Sequence, residues 1–223
     1  MTKVKICGIV EPSHALAAAT AGADFIGMVF APSKRQIDAD RGRHIVLATK
    51  RLDSPPQLVG VFVNMQAEEV NRIVRYCGLD WVQLSGDEPW HYLNRIQAQV
   101  IKTIRVQPYQ STDEVVAQIE AGHKAARRRL LYLLDCHVDG AYGGTGRSFN
   151  WDIARDIARV HPIVVAGGLT PKSVGQLIRE ATPWGVDVST GVETNGVKDG
   201  YKIEHFIQAV RAENGTYDAA ANA

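Results

Sequence analysis

The stretch that decides the fold is Ile163-Val164-Val165-Ala166-Gly167-Gly168-Leu169-Thr170-Pro171. It begins with a short apolar run rich in β-branched residues, which is typical of a buried strand. Two glycines then allow a tight turn. Thr170 before Pro171 indicates the start of a helix, because a threonine side chain caps the first turn and proline fits there. The stretch therefore predicts a strand that passes directly into a helix.

The same succession of strand, turn and helix recurs along the whole chain. The other apolar runs are Val4–Cys7, Phe25–Phe30, Leu58–Val63, Trp81–Leu84, Val100–Val106, Leu130–Asp135 and Val186–Ser189. Helical patterns lie at Pro12–Ala21, Arg41–Arg51, Ala67–Tyr76, Pro89–Ala98, Asp113–Arg127, Trp151–Val160, Pro171–Ala181 and Lys202–Arg211. Strands that alternate with helices are joined by crossovers and therefore lie parallel in one sheet.

Two architectures fit this alternation: a closed (β/α)8 barrel and an open doubly wound sheet. Eight strand-like runs within 223 residues, near the lower end of the usual length, favour a single (β/α)8 TIM barrel. The glycine-rich loops described below make it a barrel of the expected phosphate-binding type. We assign residues 1–211 to this catalytic barrel. The small and polar residues of 212–223 predict a flexible C-terminal tail.

The composition indicates an ordinary globular protein without a highly charged partner. The chain carries 25 Lys and Arg against 24 Asp and Glu, so its charge indicates neither a nucleic acid nor a membrane surface. Its three cysteines lack the spacing of a disulfide framework or a structural zinc site, which favours a reducing compartment. No signal-peptide pattern and no apolar run near the roughly 20 residues of a membrane span is found. The sequence predicts a cytoplasmic protein without a metal.

Two ionisable residues end predicted strands and are the candidate catalytic groups. Cys7 ends the first apolar run and Asp135 ends the sixth. Reacting groups of a (β/α)8 barrel lie at the carboxyl ends of its strands, so we expect the thiol and the carboxylate to face one substrate as a pair of one acid and one base. The alternative for Cys7 is a small buried hydrophobe without a chemical role.

Glycine-rich loops after the last two strands are candidate anion sites. Gly167 and Gly168 follow the seventh strand, and Thr190 and Gly191 follow the eighth. Backbone N–H groups freed by glycine beside a helix N-terminus bind anions, and this pair of loops is a frequent phosphate position in barrels. The alternative is that these tight turns need glycine only for its conformational freedom.

Two further segments are candidates for contact with a substrate. Gly143-Gly144-Thr145-Gly146 lacks the Lys-Ser/Thr of a P-loop, so it is either a mobile lid over the site or a plain flexible loop. Arg35 follows the second strand. It is either a bidentate clamp for a carboxylate or a solvated surface residue.

A buried ion pair is predicted where the barrel closes. Alternation along the strands places Lys5 with Cys7 on the interior face of the first strand and Asp187 on the interior face of the last. These strands are neighbours in a closed barrel, and either charge buried alone would be costly, so we expect Lys5 and Asp187 to lie within about 6 Å of each other. We also expect the Lys5 ammonium to lower the pKa of Cys7.

Segments that share one family's pattern run nearly from end to end of the chain. They are Lys5-Ile6-Cys7-Gly8, Gly22-Ala23-Asp24, Ser33-Lys34-Arg35, Val59-Gly60-Val61-Phe62, Val82-Gln83-Leu84, Leu134-Asp135, Gly143-Gly144-Thr145-Gly146, Ala166-Gly167-Gly168-Leu169, Asp187-Val188-Ser189, Gly191-Val192-Glu193 and Lys198-Asp199. Together they resemble the phosphoribosylanthranilate isomerase family of tryptophan biosynthesis. The combination is specific, although each segment alone is not.

The resemblance implies a (β/α)8 barrel that performs an Amadori rearrangement on a small phosphorylated substrate without a cofactor. N-(5-phospho-β-D-ribosyl)anthranilate becomes 1-(2-carboxyphenylamino)-1-deoxy-D-ribulose 5-phosphate. By the same resemblance Cys7 is the general base, Asp135 is the general acid, and Arg35 holds the anthranilate carboxylate. The further substrate-binding residues are Gly143, Gly144, Gly167, Gly168, Thr190 and Gly191. A barrel of this kind is expected to be a monomer or a homodimer.

Three positions depart from the family pattern. Ser85 stands where histidine is common, Thr190 where a second serine is usual, and Asn195 where proline often occurs. Two alternatives to the isomerase are an isomerase for a related phosphoribosyl substrate and a non-catalytic barrel that binds a phosphorylated ligand. Cys7 in place of a carboxylate argues against the first, and retention of Cys7, Asp135 and Arg35 argues against the second.

Overall fold

Eight parallel strands form a closed barrel in the computed structural model, which describes residues 1–107, 109–128, 130–135 and 151–221. The strands are β1 (Lys3–Cys7), β2 (Phe25–Val29), β3 (Gln57–Phe62), β4 (Trp81–Leu84), β5 (Gln99–Arg105), β6 (Leu130–Asp135), β7 (Ile163–Ala166) and β8 (Gly185–Val188). They are neighbours in chain order, and β8 pairs with β1. The predicted (β/α)8 barrel is therefore confirmed, and the open doubly wound alternative is wrong.

Helices lie between the strands and cover the barrel. They are α1 (Pro12–Thr20), α2 (Ala39–Thr49), α3 (Ala67–Cys77), a 3-10 helix (Trp90–Arg95), α4 (Thr112–Ala125), α5 (Trp151–Ala158), α6 (Val174–Ala181) and α7 (Gly200–Ala221). A second short 3-10 helix spans Thr190–Val192. No helix among the described residues is long and apolar enough to cross a membrane.

The fourth helix differs from its prediction, since the expected α-helix over Pro89–Ala98 is only six residues of 3-10 helix. The side chain of Asn71 on α3 explains the early end. Its Nδ2 donates to the Arg95 carbonyl at 2.8 Å, and its Oδ1 accepts from the Gln97 N–H at 2.9 Å. A side chain that takes the backbone groups at this point stops the helix from continuing.

The start of α6 also differs from its prediction. The helix begins at Val174 rather than Pro171, and its N-terminal flanking residue is Ser173 rather than Thr170. Thr170 and Ser173 bind each other across the intervening turn, because the Ser173 Oγ accepts from the Thr170 N–H at 3.0 Å. Local side-chain bonds of this kind favour a turn over a helix.

The last helix passes the boundary that was predicted at residue 211. α7 continues to Ala221, and Asn214 is buried. The Asn214 Oδ1 accepts from the Thr2 N–H at 2.9 Å. A buried N–H needs an acceptor, so this bond ties the helix to the beginning of the chain. Asn214 therefore packs against the barrel, while the flexible tail stays a prediction from the sequence.

A small hairpin after β8 was not predicted. It consists of β9 (Glu193–Thr194) and β10 (Val197–Lys198), with Lys198 paired to Glu193. Its central residues, Asn195 and Gly196, have φ angles of 52° and 79°. Positive φ at both positions is typical of a type I′ turn, which the Asn-Gly dipeptide favours. The dipeptide therefore indicates this hairpin in the sequence.

The core has two parts. One lies between strands and helices, and the other fills the barrel with Phe25, Val59, Ile101, Leu131, Leu133, Val164 and Ala166. Toward the carboxyl ends of the strands, residues on the same interior faces become polar. The mouth of the barrel therefore has a polar lining.

Candidate active site

Cys7 and Asp135 lie at the mouth of the barrel, each as the last residue of its strand. Leu131 and Leu133 belong to the interior core, so alternation along β6 turns Asp135 to the interior as well. Cys7 is 8% exposed and Asp135 is half-buried. Both candidate catalytic groups occupy the positions predicted for them.

The predicted ion pair across the barrel closure is confirmed. Lys5 on β1 pairs in register with Asp187 on β8, and the Lys5 Nζ donates to the Asp187 Oδ1 at 2.8 Å. Lys5 is 2% exposed. Burial disfavours its charge, but attraction to Asp187 and Cys7 outweighs that effect and raises the pKa of Lys5 above its ordinary value. Lys5 is therefore a fixed positive charge inside the barrel.

The Cys7 thiol lies beside this ammonium because β2 has a glycine at the neighbouring position. Gly27 pairs with Cys7, and a Cβ on Gly27 would lie 2.9 Å from the Cys7 Sγ and 3.0 Å from the Lys5 Nζ. Burial raises the pKa of Cys7 above 9.0, while Lys5 acts in the opposite direction. The expected influence of Lys5, to lower the pKa of Cys7, is confirmed in direction, while burial is the larger effect and raises the net pKa.

Arg35 reaches the same mouth over the backbone of Gly8. Gly8 has a φ of 75°, and a Cβ there would collide with the Arg35 side chain. The Arg35 Nε donates to the Glu193 Oε1 at 2.6 Å and its Nη2 donates to the Glu193 Oε2 at 2.7 Å. The solvated alternative for Arg35 is therefore wrong, since the guanidinium is held in a bidentate pair.

The Glu193 carboxylate binds a second cation, Lys198, which the sequence analysis did not assign to the site. The Lys198 Nζ donates to the Glu193 Oε1 at 2.6 Å and to the Ser189 carbonyl at 2.9 Å. Burial raises the pKa of Glu193, but hydrogen bonds from Arg35 and Lys198 outweigh it, so the pKa lies below its usual range. The carboxylate therefore stays ionised between the two cations.

The two glycine-containing loops meet after β7 and β8. Gly167 and Gly168 have φ angles of 103° and 64°, which favour glycine. A Cβ on Gly168 would meet nothing within 4 Å, so its backbone borders open space. A Cβ on Gly191 would collide with the Leu169 carbonyl, and Thr190 is exposed. The four predicted phosphate-binding residues thus lie in two contacting loops.

Ser85, at the carboxyl end of β4, belongs to a row of polar groups across the barrel mouth. Its Oγ lies 2.9 Å from the Thr103 Oγ1 and accepts from the Gln83 Nε2 at 3.1 Å. The Gln83 Oε1 is buried and has no hydrogen-bond partner among the described residues. The hydroxyl that replaces the family's common imidazole is therefore hydrogen-bonded within the protein.

Gly143 and Gly144, the remaining predicted substrate-binding residues, lie outside the described residues, as does the rest of 136–150.

The sequence profile of the family described as N-(5'phosphoribosyl)anthranilate (PRA) isomerase matches residues 4–209. The chain belongs to the PRA isomerase family. An N-(5'-phosphoribosyl)anthranilate isomerase of Dehalococcoides mccartyi is 47% identical over 215 residues, which cover 96% of this chain and 98% of that protein. The resemblance read from the motifs is therefore confirmed.

Solved structures of PRA isomerases share the fold. The crystal structure of the Thermotoga maritima phosphoribosyl anthranilate isomerase is 34% identical, with a TM-score of 0.81 over 95% of this chain and 100% of that one. Another is 33% identical, with a TM-score of 0.77 and the same coverage. This second structure is a complex with reduced 1-(o-carboxyphenylamino)-1-deoxyribulose 5-phosphate. The PRA isomerase in that crystal therefore binds a phosphorylated compound that carries an aromatic carboxylate.

Proposed function

We propose that the chain converts N-(5-phospho-β-D-ribosyl)anthranilate into 1-(2-carboxyphenylamino)-1-deoxy-D-ribulose 5-phosphate in tryptophan biosynthesis. The observation that carries this proposal is the setting of Cys7, whose thiol lies beside the buried Lys5–Asp187 pair. Asp135 lies at the same end of the barrel. Membership of the PRA isomerase family indicates which substrate this acid and base would act on.

Asp135 is assigned the first step, the opening of the sugar ring. In its protonated form it donates a proton to the furanose ring oxygen. The bond between that oxygen and C1 breaks, while the lone pair of the substrate nitrogen forms a C=N bond to C1. The product of this step is a cationic iminium with a free hydroxyl at C4.

Cys7 is assigned the second step, the removal of the C2 proton. The iminium draws electrons from C2, so a thiolate is a strong enough base to take this proton. The C–H electrons form a C1=C2 double bond and neutralise the nitrogen, and the resulting enolamine gains a proton at C1 as its C2 hydroxyl becomes the ketone. Positioned acids and bases each contribute about 10²–10⁴-fold. The substrate nitrogen is the electron sink, so no cofactor enters these steps.

The remaining site residues are assigned to the two anionic ends of the substrate. Arg35 would hold the anthranilate carboxylate through bidentate hydrogen bonds. Gly167, Gly168, Thr190 and Gly191 would hold the phosphate, because their two loops contact each other and the backbone of Gly168 borders open space. The roles of Gly143 and Gly144, a cytoplasmic location, and a monomeric or homodimeric state stay predictions from the sequence.

The test is to mix purified protein with freshly prepared phosphoribosylanthranilate, follow the decay of its fluorescence, and identify the product by chromatography. We expect saturable decay to the aminodeoxyribulose phosphate. Binding of the substrate without decay would instead support a non-catalytic phosphate-binding barrel. Efficient conversion of a phosphoribosyl compound that lacks the anthranilate ring would support the related isomerase.

A further inference from the structure

The Arg35 guanidinium is held by one edge only. Glu193 accepts from the Nε and Nη2 atoms, which form the side edge of the group. The Nη1 atom makes no hydrogen bond to any residue in the described part of the chain. A guanidinium has a second, outer edge formed by Nη1 and the other Nη2 hydrogen, and this edge also matches a carboxylate. The side chain is 26% exposed, so the protein does not fully enclose the guanidinium group.

Glu193 is itself fixed on two sides. Its Oε1 accepts from both the Arg35 Nε and the Lys198 Nζ at 2.6 Å, and the Lys198 side chain is 1% exposed. Lys198 lies opposite Glu193 in the β9–β10 hairpin, so the turn at Asn195 and Gly196 sets their distance. The carboxylate therefore has one position, and the guanidinium bound to it has one orientation.

The charges of this group leave room for one anion. Arg35 and Lys198 carry two positive charges, and Glu193 neutralises one of them. Lys198 is buried and bonded to Glu193 and Ser189, so the remaining positive charge is available at Arg35. A carboxylate on the outer edge of the guanidinium would complete the balance.

We propose that Glu193 is a positioning residue that holds Arg35 by its side edge and so directs the outer edge to the anthranilate carboxylate of the substrate. The proposal rests on the proposed function. Lys198 extends the arrangement, since its bonds to the Ser189 carbonyl at 2.9 Å and Oγ at 3.2 Å fix the residue before Thr190. The hairpin thus connects the carboxylate end of the site to the phosphate loop.

Two ligands separate positioning of Arg35 from a general structural role of Glu193. One is reduced 1-(2-carboxyphenylamino)-1-deoxyribulose 5-phosphate, and the other is the same compound without its carboxyl group. We expect Glu193→Gln to weaken binding of the first roughly tenfold or more, with kcat less affected than KM. Binding of the second should stay within about twofold of wild type. Equal weakening of both ligands would overturn the proposal, and so would tighter binding of the carboxylated ligand, which would make Glu193 a competitor for Arg35.

A double-mutant cycle tests whether Glu193 acts through Arg35. Arg35→Lys removes the planar guanidinium, which alone can donate two parallel hydrogen bonds. In this background, Glu193→Gln should change the affinity for the carboxylated ligand by no more than about twofold. Losses of affinity that add in the double variant would contradict the proposal. Val197→Thr, an exposed change on the same hairpin, is the matched control. Should Glu193→Gln fail to fold, Glu193→Asp is used in the same cycle, since it keeps the charge but withdraws the carboxylate.

Wild-type protein that fails to convert phosphoribosylanthranilate would refute the proposed function, whereas normal conversion without ligand discrimination would refute only this inference.

Discussion

Cys7 shows how two opposing effects act on one thiol. Burial removes the water that would stabilise a thiolate, while the Lys5 ammonium beside it favours the charged form. Burial is the larger effect, so the pKa of Cys7 lies above its ordinary value. As the proposed base, the thiolate would form in only a small fraction of molecules but would be strong once formed, and Lys5 would stabilise it during proton transfer.

The first prediction concerns this balance. Alkylation of Cys7 by iodoacetamide, followed by peptide mass spectrometry across a pH series, should give a midpoint above that of a free cysteine peptide measured in parallel. Replacing the ion pair by apolar residues, as Lys5→Met with Asp187→Leu, avoids an unpaired buried charge and should raise the midpoint further. The pH at which kcat/KM reaches half its upper limit should move the same way. A midpoint below that of the free peptide, or one that falls in the double variant, would contradict this account.

Single residues differ in how far sequence could place them. The Lys5–Asp187 pair followed from strand alternation and barrel closure alone, because both charges lie inside strands. Lys198 lies outside the barrel strands, and its place in the site depends on the hairpin that follows β8. The net pKa of Cys7 required the balance between burial and a neighbouring charge, which the sequence does not contain.

At the scale of elements, the β9–β10 hairpin sets the geometry of the Arg35, Glu193 and Lys198 group. The turn needs positive φ at Asn195 and Gly196. Asparagine is among the few residues other than glycine that adopt this conformation readily. At position 195, where the family often has proline, this chain therefore carries an asparagine that suits a type I′ turn.

The second prediction tests this turn. Proline cannot adopt the φ of 52° found at Asn195, so Asn195→Pro should disrupt the pairing of β9 with β10. We expect the free energy of unfolding to fall by about 1 kcal/mol or more and KM to rise, because Lys198 no longer fixes Glu193. Asn195→Gly, which permits the same φ, is the control and should change stability by no more than about 0.5 kcal/mol. Unchanged KM in the proline variant would show that the hairpin does not position the site.

The strands were the more predictable elements and the helices the less. Apolar runs gave β4, β6 and β7 with correct ends, since buried parallel strands are continuous in their hydrophobicity. The fourth helix was wrong because a distant side chain, Asn71, takes the backbone groups at its end. Contacts of this kind follow from the folded arrangement and not from local pattern.

For the whole molecule, Asp24 ties the two ends of the chain to the barrel. Its Oδ1 accepts from the Lys3 Nζ at 2.8 Å, and its Oδ2 accepts from the Val4 N–H at 2.8 Å and the Arg211 Nη2 at 2.9 Å. One carboxylate thus connects β1, the start of β2 and α7. These bonds lower the pKa of Asp24 even though burial acts to raise it.

The third prediction follows from the sign of this shift. Because the folded pKa of Asp24 is below the ordinary 3.8, its contribution to stability is present above pH 3.8 and is lost as the pH falls through the folded value. Asp24→Asn should lower the free energy of unfolding by about 1–2 kcal/mol at pH 7, allowing for partial exposure. The difference from wild type, measured by urea unfolding, should shrink below pH 3.8.

Glu69→Gln is the control for Asp24, since Glu69 is also a carboxylate with a lowered pKa but pairs with Arg72 at the surface. It should leave stability unchanged. A difference for Asp24→Asn that persists unchanged to low pH would show that the lost packing, and not the lost charge, causes it.

The closed architecture was predictable because eight strand–helix units leave few ways to pair every strand. The contact between Asn214 and Thr2 was not predictable, because it joins residues that are far apart in the sequence. The grouping of Cys7, Arg35 and the two glycine loops at one end followed directly from the barrel. The assignment of Cys7 as the base and Asp135 as the acid came from the family resemblance.

The central claim is that Cys7 and Asp135 act as base and acid on one substrate. The most direct measurement is the single-turnover decay of phosphoribosylanthranilate fluorescence in wild type, Cys7→Ser and Asp135→Asn, with folding checked by circular dichroism. We predict that each variant still binds the reduced product analogue but loses about 10²-fold or more in rate. Decay at the wild-type rate in either variant would assign its role to another residue and contradict the account.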